Sequence, residues 1–318
     1  MKNLAVLIVT VFMVTENAYA GVYGKMSYFR QFIGPLIAAK TAEKSAALER
    51  LLQDLWLLDD NRMGQNADME IKLPGGRFSF MSLFRKNGNK LFRHISQDKL
   101  DRPTFKAFVR LLDNYKMNTS RTEYLTQEHV NEIWDFLTEV MNTRVMNRTH
   151  QFLADRRLVP KSREEFKGQL FEMWFTFHRP RNFKTFSLGE GQFSPFEHVF
   201  VGELHGSSLS GFHNWIQLFR HEERGDLLVT KYSRKACPKK PHFISVYFDV
   251  PKWNVRKRGA YVLLGTSPEF ELAAYTAVFL MNVPGKLNVS GCPINLVCIH
   301  QFFDKWRPRT CYPKNNFL

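Results

Sequence analysis

Between residues 28 and about 179, apolar positions recur mostly at helical spacing. In SAALERLLQDLWLLDD, the residues Ala46, Leu48, Leu51, Leu52, Leu55, Trp56 and Leu58 form one stripe, which predicts an amphipathic helix with a core-facing side. The same period predicts helices in PTFKAFVRLLDNY and EHVNEIWDFLTEVMNTRVM. MGQNAD and KNGNK, rich in Gly and Asn, interrupt the pattern and read as turns.

After KTFSLGEGQFSPF the texture changes to short β-rich runs: HVFVGEL, DLLVTKYS, HFISVYFDV, YVLLG and INLVCIHQFF. Two helices interrupt them. HNWIQLFRHEER is closed by Gly225, and PEFELAAYTAVFLMN has Ser267 as its N-cap, Pro268 at its first position and two glutamates in its first turn. The predicted class is therefore α+β: a helical N-terminal lobe over 21–185, then a β-rich lobe over 186–318 with a mixed sheet and a few helices. No repeat and no linker separates independent domains.

With 44% hydrophobic and 14% aromatic residues, 29 of them Phe, the 318-residue chain can bury a large core, which excludes intrinsic disorder. The 45 Lys+Arg against 30 Asp+Glu leave a formal charge of +15, a surplus that attracts polyanions: nucleic acid, a glycosaminoglycan or an anionic membrane surface. Beyond the first 20 positions no apolar run reaches 18 residues, so no spanning helix is predicted there.

Residues 1–20 begin with Lys2, continue through an apolar stretch and end on Ala18-Tyr19-Ala20, the layout of a cleavable secretory signal. The expected location is thus extracellular. Cys237, Cys292, Cys298 and Cys311 show neither a CxxC pair nor zinc-type spacing. In an oxidising compartment they favour one or two disulfides, with three connectivities open. Asn118, Asn147 and Asn288 each begin a glycosylation sequon.

The densest group of reactive residues is EHVFVGELHGSSLSGFHNW, over 197–215. His198 opens a strand-like run and His213 follows a Gly-Ser-rich turn at the start of a helix, an order that can bring both imidazoles to one cleft. Two such groups can divide general-base and general-acid duty. RNA suits them: a base takes the proton of the 2′-hydroxyl, an acid protonates the leaving 5′-oxygen, and a fixed cation steadies the charge on phosphorus. No metal is obligatory for that chemistry. The run KWNVRKRG, with Lys252, Arg256, Lys257 and Arg258, can supply the cation or can be a solvated turn.

The segments EHVFVGE, SGFHNW, GTSPEFELAAYT and RTCYP, in this order, resemble the animal EndoU (XendoU, placental-protein type) family of uridylate-preferring endoribonucleases, and LWLLDDNR resembles its N-terminal block. The likeness spans about residues 25–316, so the two lobes together are expected to form one EndoU-like domain. It implies catalytic roles for His198 and His213, one as base and one as acid. It also implies a catalytic lysine ahead of the GTSPEFE block: counting back from Gly265 selects Lys257, while counting forward from Trp253 selects Arg258. Lys257 is preferred because a compact ammonium suits the phosphorane, leaving Arg258 for a flanking phosphate. Thr310 and Tyr312 match the hydroxyl and aromatic pair used around the uridine. Glu197 and Glu203 match supporting glutamates that orient a histidine or take part in the manganese or calcium dependence the resemblance implies.

Two positions depart from the family pattern. Pro195 replaces a usual Gly, and His205 is an additional imidazole, expected as a neutral loop residue, with a third titrating group or a metal contact as alternatives. The resemblance therefore implies a secreted, monomeric enzyme that cleaves single-stranded RNA at uridines and leaves 2′,3′-cyclic phosphate ends. The competing expectation is an extracellular protein that binds RNA or another polyanion without turning it over. No GxSxG, HExxH or Cys-His signature supports a protease.

Overall fold

The leucine stripe builds the first helix, α1 (Gly34–Leu58), which buries Leu48, Leu51, Leu52 and Leu55 completely and leaves Leu57 in solvent. The computed structural model describes residues 34–72, 90–115, 117, 123–177, 190–191, 193–233, 242–301 and 304–314. The expected signal segment, Cys237, Asn118 and nearly all of KNGNK lie outside them. The chain divides into two compact units, Met1–Ala46 and Ala47–Leu318. Of the first, only the opening part of α1 is described; everything below concerns the second.

MGQNAD forms the predicted turn: Asn66 takes φ 66°, and the Gly64 N–H donates to Asp68 Oδ2 at 2.7 Å. It leads into the antiparallel pair β1 (Met69–Ile71) and β2 (Phe92–Ile95). Beyond the single turn α2 (Gln97–Leu100), α3 (Pro103–Asp113) starts on a proline, whose missing N–H has no partner to lose there, and buries Phe105, Phe108, Leu111 and Leu112. The short strand β3 (Glu123–Tyr124) precedes α4 (Gln127–Met141). EHVNEIWDFLTEVMNTRVM, read from its period as one helix, is two. The Thr143 hydroxyl accepts from the Met146 N–H and opens α5 (Arg144–Asp155) as a new helix. Next comes α6 (Arg163–Trp174), capped by Ser162, a helix not singled out from the sequence although Phe166, Leu170, Met173 and Trp174 are buried at helical spacing.

In the second half, β4 (Glu190–Gly191) pairs with β3. A π-helical turn over Glu197–Val201 follows, then the hairpin β5 (Glu203–His205) and β6 (Ser208–Ser210), then α7 (Trp215–Arg224). Gly225 ends α7 at φ 74°, as the sequence predicted. β7 (Leu228–Ser233), β8 (Phe243–Val250) and β9 (Val255–Leu263) make one antiparallel sheet. α8 (Pro268–Met281) begins at Ser267, whose hydroxyl accepts from the Phe270 N–H; being apolar on nearly every face, it is buried almost throughout. β10 (Gly285–Val289), β11 (Cys292–Gln301) and β12 (Asp304–Lys314) form a second antiparallel sheet. The class is α+β as expected. The sheets are not mixed as expected: the named strands pair antiparallel, in sheets of two and three, and in the two three-stranded sheets each strand pairs with the next along the chain, which needs no crossover.

Phe196 and Phe200, on the π-helical turn, pack against Phe108 of α3, and Phe196 also meets Phe136 of α4 and Phe175 beyond α6. Helical core and β-rich segment thus share one aromatic cluster, and the turn carrying His198 is clamped by it. Among the described residues no helix is long and apolar enough to cross a membrane.

Candidate active site

HVFVGEL, expected as a strand, winds into a tight turn before any strand begins. Ser194 starts it: its hydroxyl accepts from the Glu197 N–H at 3.1 Å and its carbonyl from the His198 N–H at 3.0 Å. Pro195 occupies the first helical position, where its ring is favoured, so this departure from the family pattern is compatible with the approach to Glu197. The Gly202 N–H closes the turn on the Glu197 carbonyl at 2.8 Å, five residues back. This winding leaves Glu197, Val199, Phe200 and Val201 buried and turns the His198 side chain outward, 12% exposed.

The second histidine is tied to the first through the backbone. The Phe212 N–H donates to the His198 carbonyl at 3.1 Å, and the His213 N–H to the Val199 carbonyl at 2.7 Å. Gly211 makes this approach possible: at φ 63°, a Cβ there would lie 1.8 Å from the His198 carbonyl oxygen. After His213, Asn214 caps α7, its Oδ1 accepting from the N–H groups of Ile216 and Gln217. Its Nδ2 donates to the buried Glu271 of α8 at 3.3 Å.

KWNVRKRG becomes strand rather than solvated turn, except at its start. Gly259, at φ 86°, is an extra residue in β9: Ala260 faces Val246 and Arg258 faces Tyr247. This β-bulge brings Lys257 to the same sheet face as Ala260, opposite the buried Phe248, while Arg256 and Arg258 point to solvent. Of the two candidates for the cation, Lys257 is the one on the inward face. Lys257 Nζ donates to the Leu209 carbonyl in β6, between the two histidines in the chain, at 2.8 Å. Arg256 instead pairs with Asp249 at 2.7 Å.

The two imidazoles have different electrostatic surroundings. His213 is buried, and its Nδ1 lies 3.1 Å from the Tyr261 carbonyl, an acceptor only, so Nδ1 carries the proton and Nε2 the lone pair. Burial, then the charges of Lys257 and His198, push its pKa down to about 3, against the raising effect of that carbonyl. His198 Nδ1 lies 2.9 Å from Glu203 Oε1, so its partner is a carboxylate rather than a neutral amide. The other oxygen, Oε2, lies 2.9 Å from His205 Nε2. Burial alone lowers the Lys257 ammonium to about 8.

Tyr312 of β12 stacks on His213 at 5.3 Å between ring centroids and on Tyr261 at 6.4 Å. Thr310 is two residues earlier on the same strand face, with a buried hydroxyl oxygen that has no hydrogen-bond partner among the described residues. Its cross-strand neighbour Ile299 is 44% exposed. On the opposite face, Cys298 and Cys311 sit directly across from each other and are disulfide-bonded. The structure therefore gathers His198, His213, Lys257, Glu203 and Tyr312 in one neighbourhood, with Thr310 beside them. Glu197 is completely buried under the turn and positioned to act only from behind it. Sequence reasoning missed Tyr261, whose contribution is a main-chain carbonyl, and the link from Asn214 to Glu271; no side-chain motif signals either.

The histidine cluster does not suit a divalent cation. Both Glu203 oxygens already accept from imidazoles, and the Lys257 ammonium adds positive charge. Asp59 and Glu269 form a second acidic pair. Both are buried, Asp59 Oδ1 and Glu269 Oε2 have no hydrogen-bond partner, and Asn61 donates to Glu269 Oε1 at 2.6 Å. Burial, then the neighbouring Glu269, raises Asp59 to about 7, and burial raises Glu269 as well. Burial and mutual repulsion thus favour a protonated carboxyl in this pair, and among the described residues no group of three or more His, Cys, Asp or Glu is placed to hold a metal ion.

A helical lobe fused to small antiparallel sheets, with a neutral imidazole, a carboxylate-held imidazole and an ammonium brought together at the seam, defines an α+β protein built for proton transfer beside a fixed cation. The model of the family "Endoribonuclease XendoU" matches residues 47–313, and the chain belongs to that family. It is 34% identical over 282 residues to uridylate-specific endoribonuclease B of Danio rerio, covering 85% of this chain and 96% of that protein. It is 33% identical over 255 residues to poly(U)-specific endoribonuclease-A of Xenopus laevis, covering 77% and 85%. The solved structure of XendoU, described as a splicing independent snoRNA processing endoribonuclease, superposes with a TM-score of 0.68 at 29% identity, over 84% of this chain and 96% of that one.

Proposed function

We propose that the protein is a secreted endoribonuclease that cleaves single-stranded RNA at uridines by attack of the 2′-hydroxyl on the neighbouring phosphorus, leaving a 2′,3′-cyclic phosphate and a 5′-hydroxyl. The observation that carries this reading is the complementary state of the two imidazoles. His213, neutral and with its Nε2 lone pair free of the Tyr261 contact, is the base that takes the 2′-hydroxyl proton. His198, whose Nδ1 is held by Glu203, is the acid that protonates the departing 5′-oxygen from its other ring nitrogen. Lys257 supplies the charge for the phosphorane from a half-buried position where it is worth more than in water. Tyr312 packs against the sugar or base, and the unpartnered Thr310 hydroxyl meets the pyrimidine edge.

Exposed Asn147 and Asn288 and the Cys298–Cys311 disulfide support an extracellular setting. The +15 surplus draws the RNA backbone, so affinity falls steeply with salt.

The test incubates the purified mature protein with an end-labelled oligonucleotide containing a single uridine, with and without chelator, and identifies the product ends. Cyclic-phosphate ends that disappear in His213→Ala support the proposal. Retention of RNA with no cleavage under any metal condition replaces it with the polyanion-binding reading.

A further inference from the structure

Glu203 is 1% exposed, yet it is flanked by two histidines, and the acid–base reading uses only one of them. In the β5–β6 hairpin, Glu203 and His205 lie two residues apart on one face, opposite Ser210 and Ser208. His198 Nδ1 and His205 Nε2 each approach a different oxygen of the same carboxylate at 2.9 Å. His205 is 51% exposed, while His198 is 12% exposed.

We propose that His205 is a positioning residue for the acid: by donating from Nε2 to Glu203 Oε2, it fixes the carboxylate plane so that Oε1 meets the Nδ1–H of His198. A carboxylate held at one oxygen can swing about its terminal torsion, which is broad; held at both, it presents a single orientation. His198 is then locked in the tautomer and ring angle that direct Nε2 toward the leaving oxygen. Among the described residues, His213, on the segment before α7, lies within electrostatic reach of both His198 and Lys257, on β9. The hydrogen bonds of His213 and Lys257 go to the Tyr261 and Leu209 carbonyls, so among the described residues His205 is the second imidazole partner of this carboxylate.

The inference rests on the acid–base reading above, and the experiment separates the two. His205→Ala removes the donor; His205→Gln keeps an N–H donor without the imidazole. In the full mature protein, kcat and KM are measured on a uridine-containing oligonucleotide, and the protonation of the His198 ring nitrogens is followed by long-range proton–nitrogen NMR without RNA. His205→Ala should lower kcat roughly threefold to tenfold with KM within about twofold, and should mix the two neutral tautomers of His198. His205→Gln should return both to near the parent. A His198 signal identical in parent and His205→Ala, with unchanged kcat, overturns the proposal, as does a His205→Gln protein that melts like the parent but behaves like His205→Ala. If the parent cleaves nothing, the nuclease reading fails alone, and the NMR comparison still decides the role of His205.

Discussion

The closest point between the two histidine-bearing segments is Gly211, and a single methyl group there should uncouple them. The Cβ of Gly211→Ala would lie 1.8 Å from the His198 carbonyl oxygen and 2.8 Å from its carbon, backbone atoms that cannot rotate away. An ordinary carbon–oxygen contact is about 3.3 Å, so the two strands of chain must part by about 1.5 Å. That separation breaks the hydrogen bonds from Phe212 to His198 and from His213 to Val199, at about 1 kcal/mol each. Holding alanine at positive φ adds about 1 kcal/mol, for a total near 3 kcal/mol. Displacing one imidazole by about 1 Å costs on the order of a hundredfold in rate. Gly206→Ala is the internal control: Gly206 also has positive φ, 59°, but a Cβ there meets nothing within 4 Å, so it should lose only about 1 kcal/mol and little activity. Urea unfolding and initial cleavage rates of both variants read the difference. If Gly211→Ala is no worse than Gly206→Ala in both assays, the close approach does not hold the site together.

Lys257→Ala should lower kcat by about a hundredfold or more, whereas Arg258→Ala, on the solvent face, should chiefly reduce the salt dependence of binding; equal kcat losses at low salt would place the cation wrongly. His213 has a folded pKa near 3, below its unfolded value of 6.5, so the unfolded chain binds the extra proton between those values and stability falls as pH drops through that window. The contribution is at most about 1.4 kcal/mol per pH unit. Urea midpoints at pH 7 and 4.5 should therefore differ less in His213→Asn than in the parent, and an equal difference would contradict burial of a neutral ring. Replacing both Cys298 and Cys311 by Ser opens a loop with a sequence separation of 13, worth about 3 kcal/mol; an unchanged unfolding midpoint would show that β11 and β12 hold without the bridge.

Wherever local periodicity coincides with burial, the chain announces its own structure. α1 and α3 follow their apolar stripes and α8 its nearly continuous apolar run, Ser267 caps and Gly225 closes as their chemistry requires, and β8 follows its run of branched and aromatic residues. His198, His213, Lys257, Thr310 and Tyr312 were identifiable as candidates because the segments that carry them resemble the EndoU family's, in the same order. Three matters depended on packing between segments remote in sequence. HVFV resembles a strand, but anchoring of Phe196 and Phe200 in the helical core makes a π-helical turn the better way to bury those rings. A bulge at Gly259, not the basic run itself, decides that Lys257 rather than Arg258 faces inward. The contrast between the two imidazoles arises from a carbonyl 48 residues from His213 and from the carboxylate of a hairpin, partners that a linear pattern of residue types does not encode. Residue type determines which groups can move a proton; the direction in which each moves it depends on burial and on the neighbour at the other ring nitrogen, and both exist only once the chain has folded.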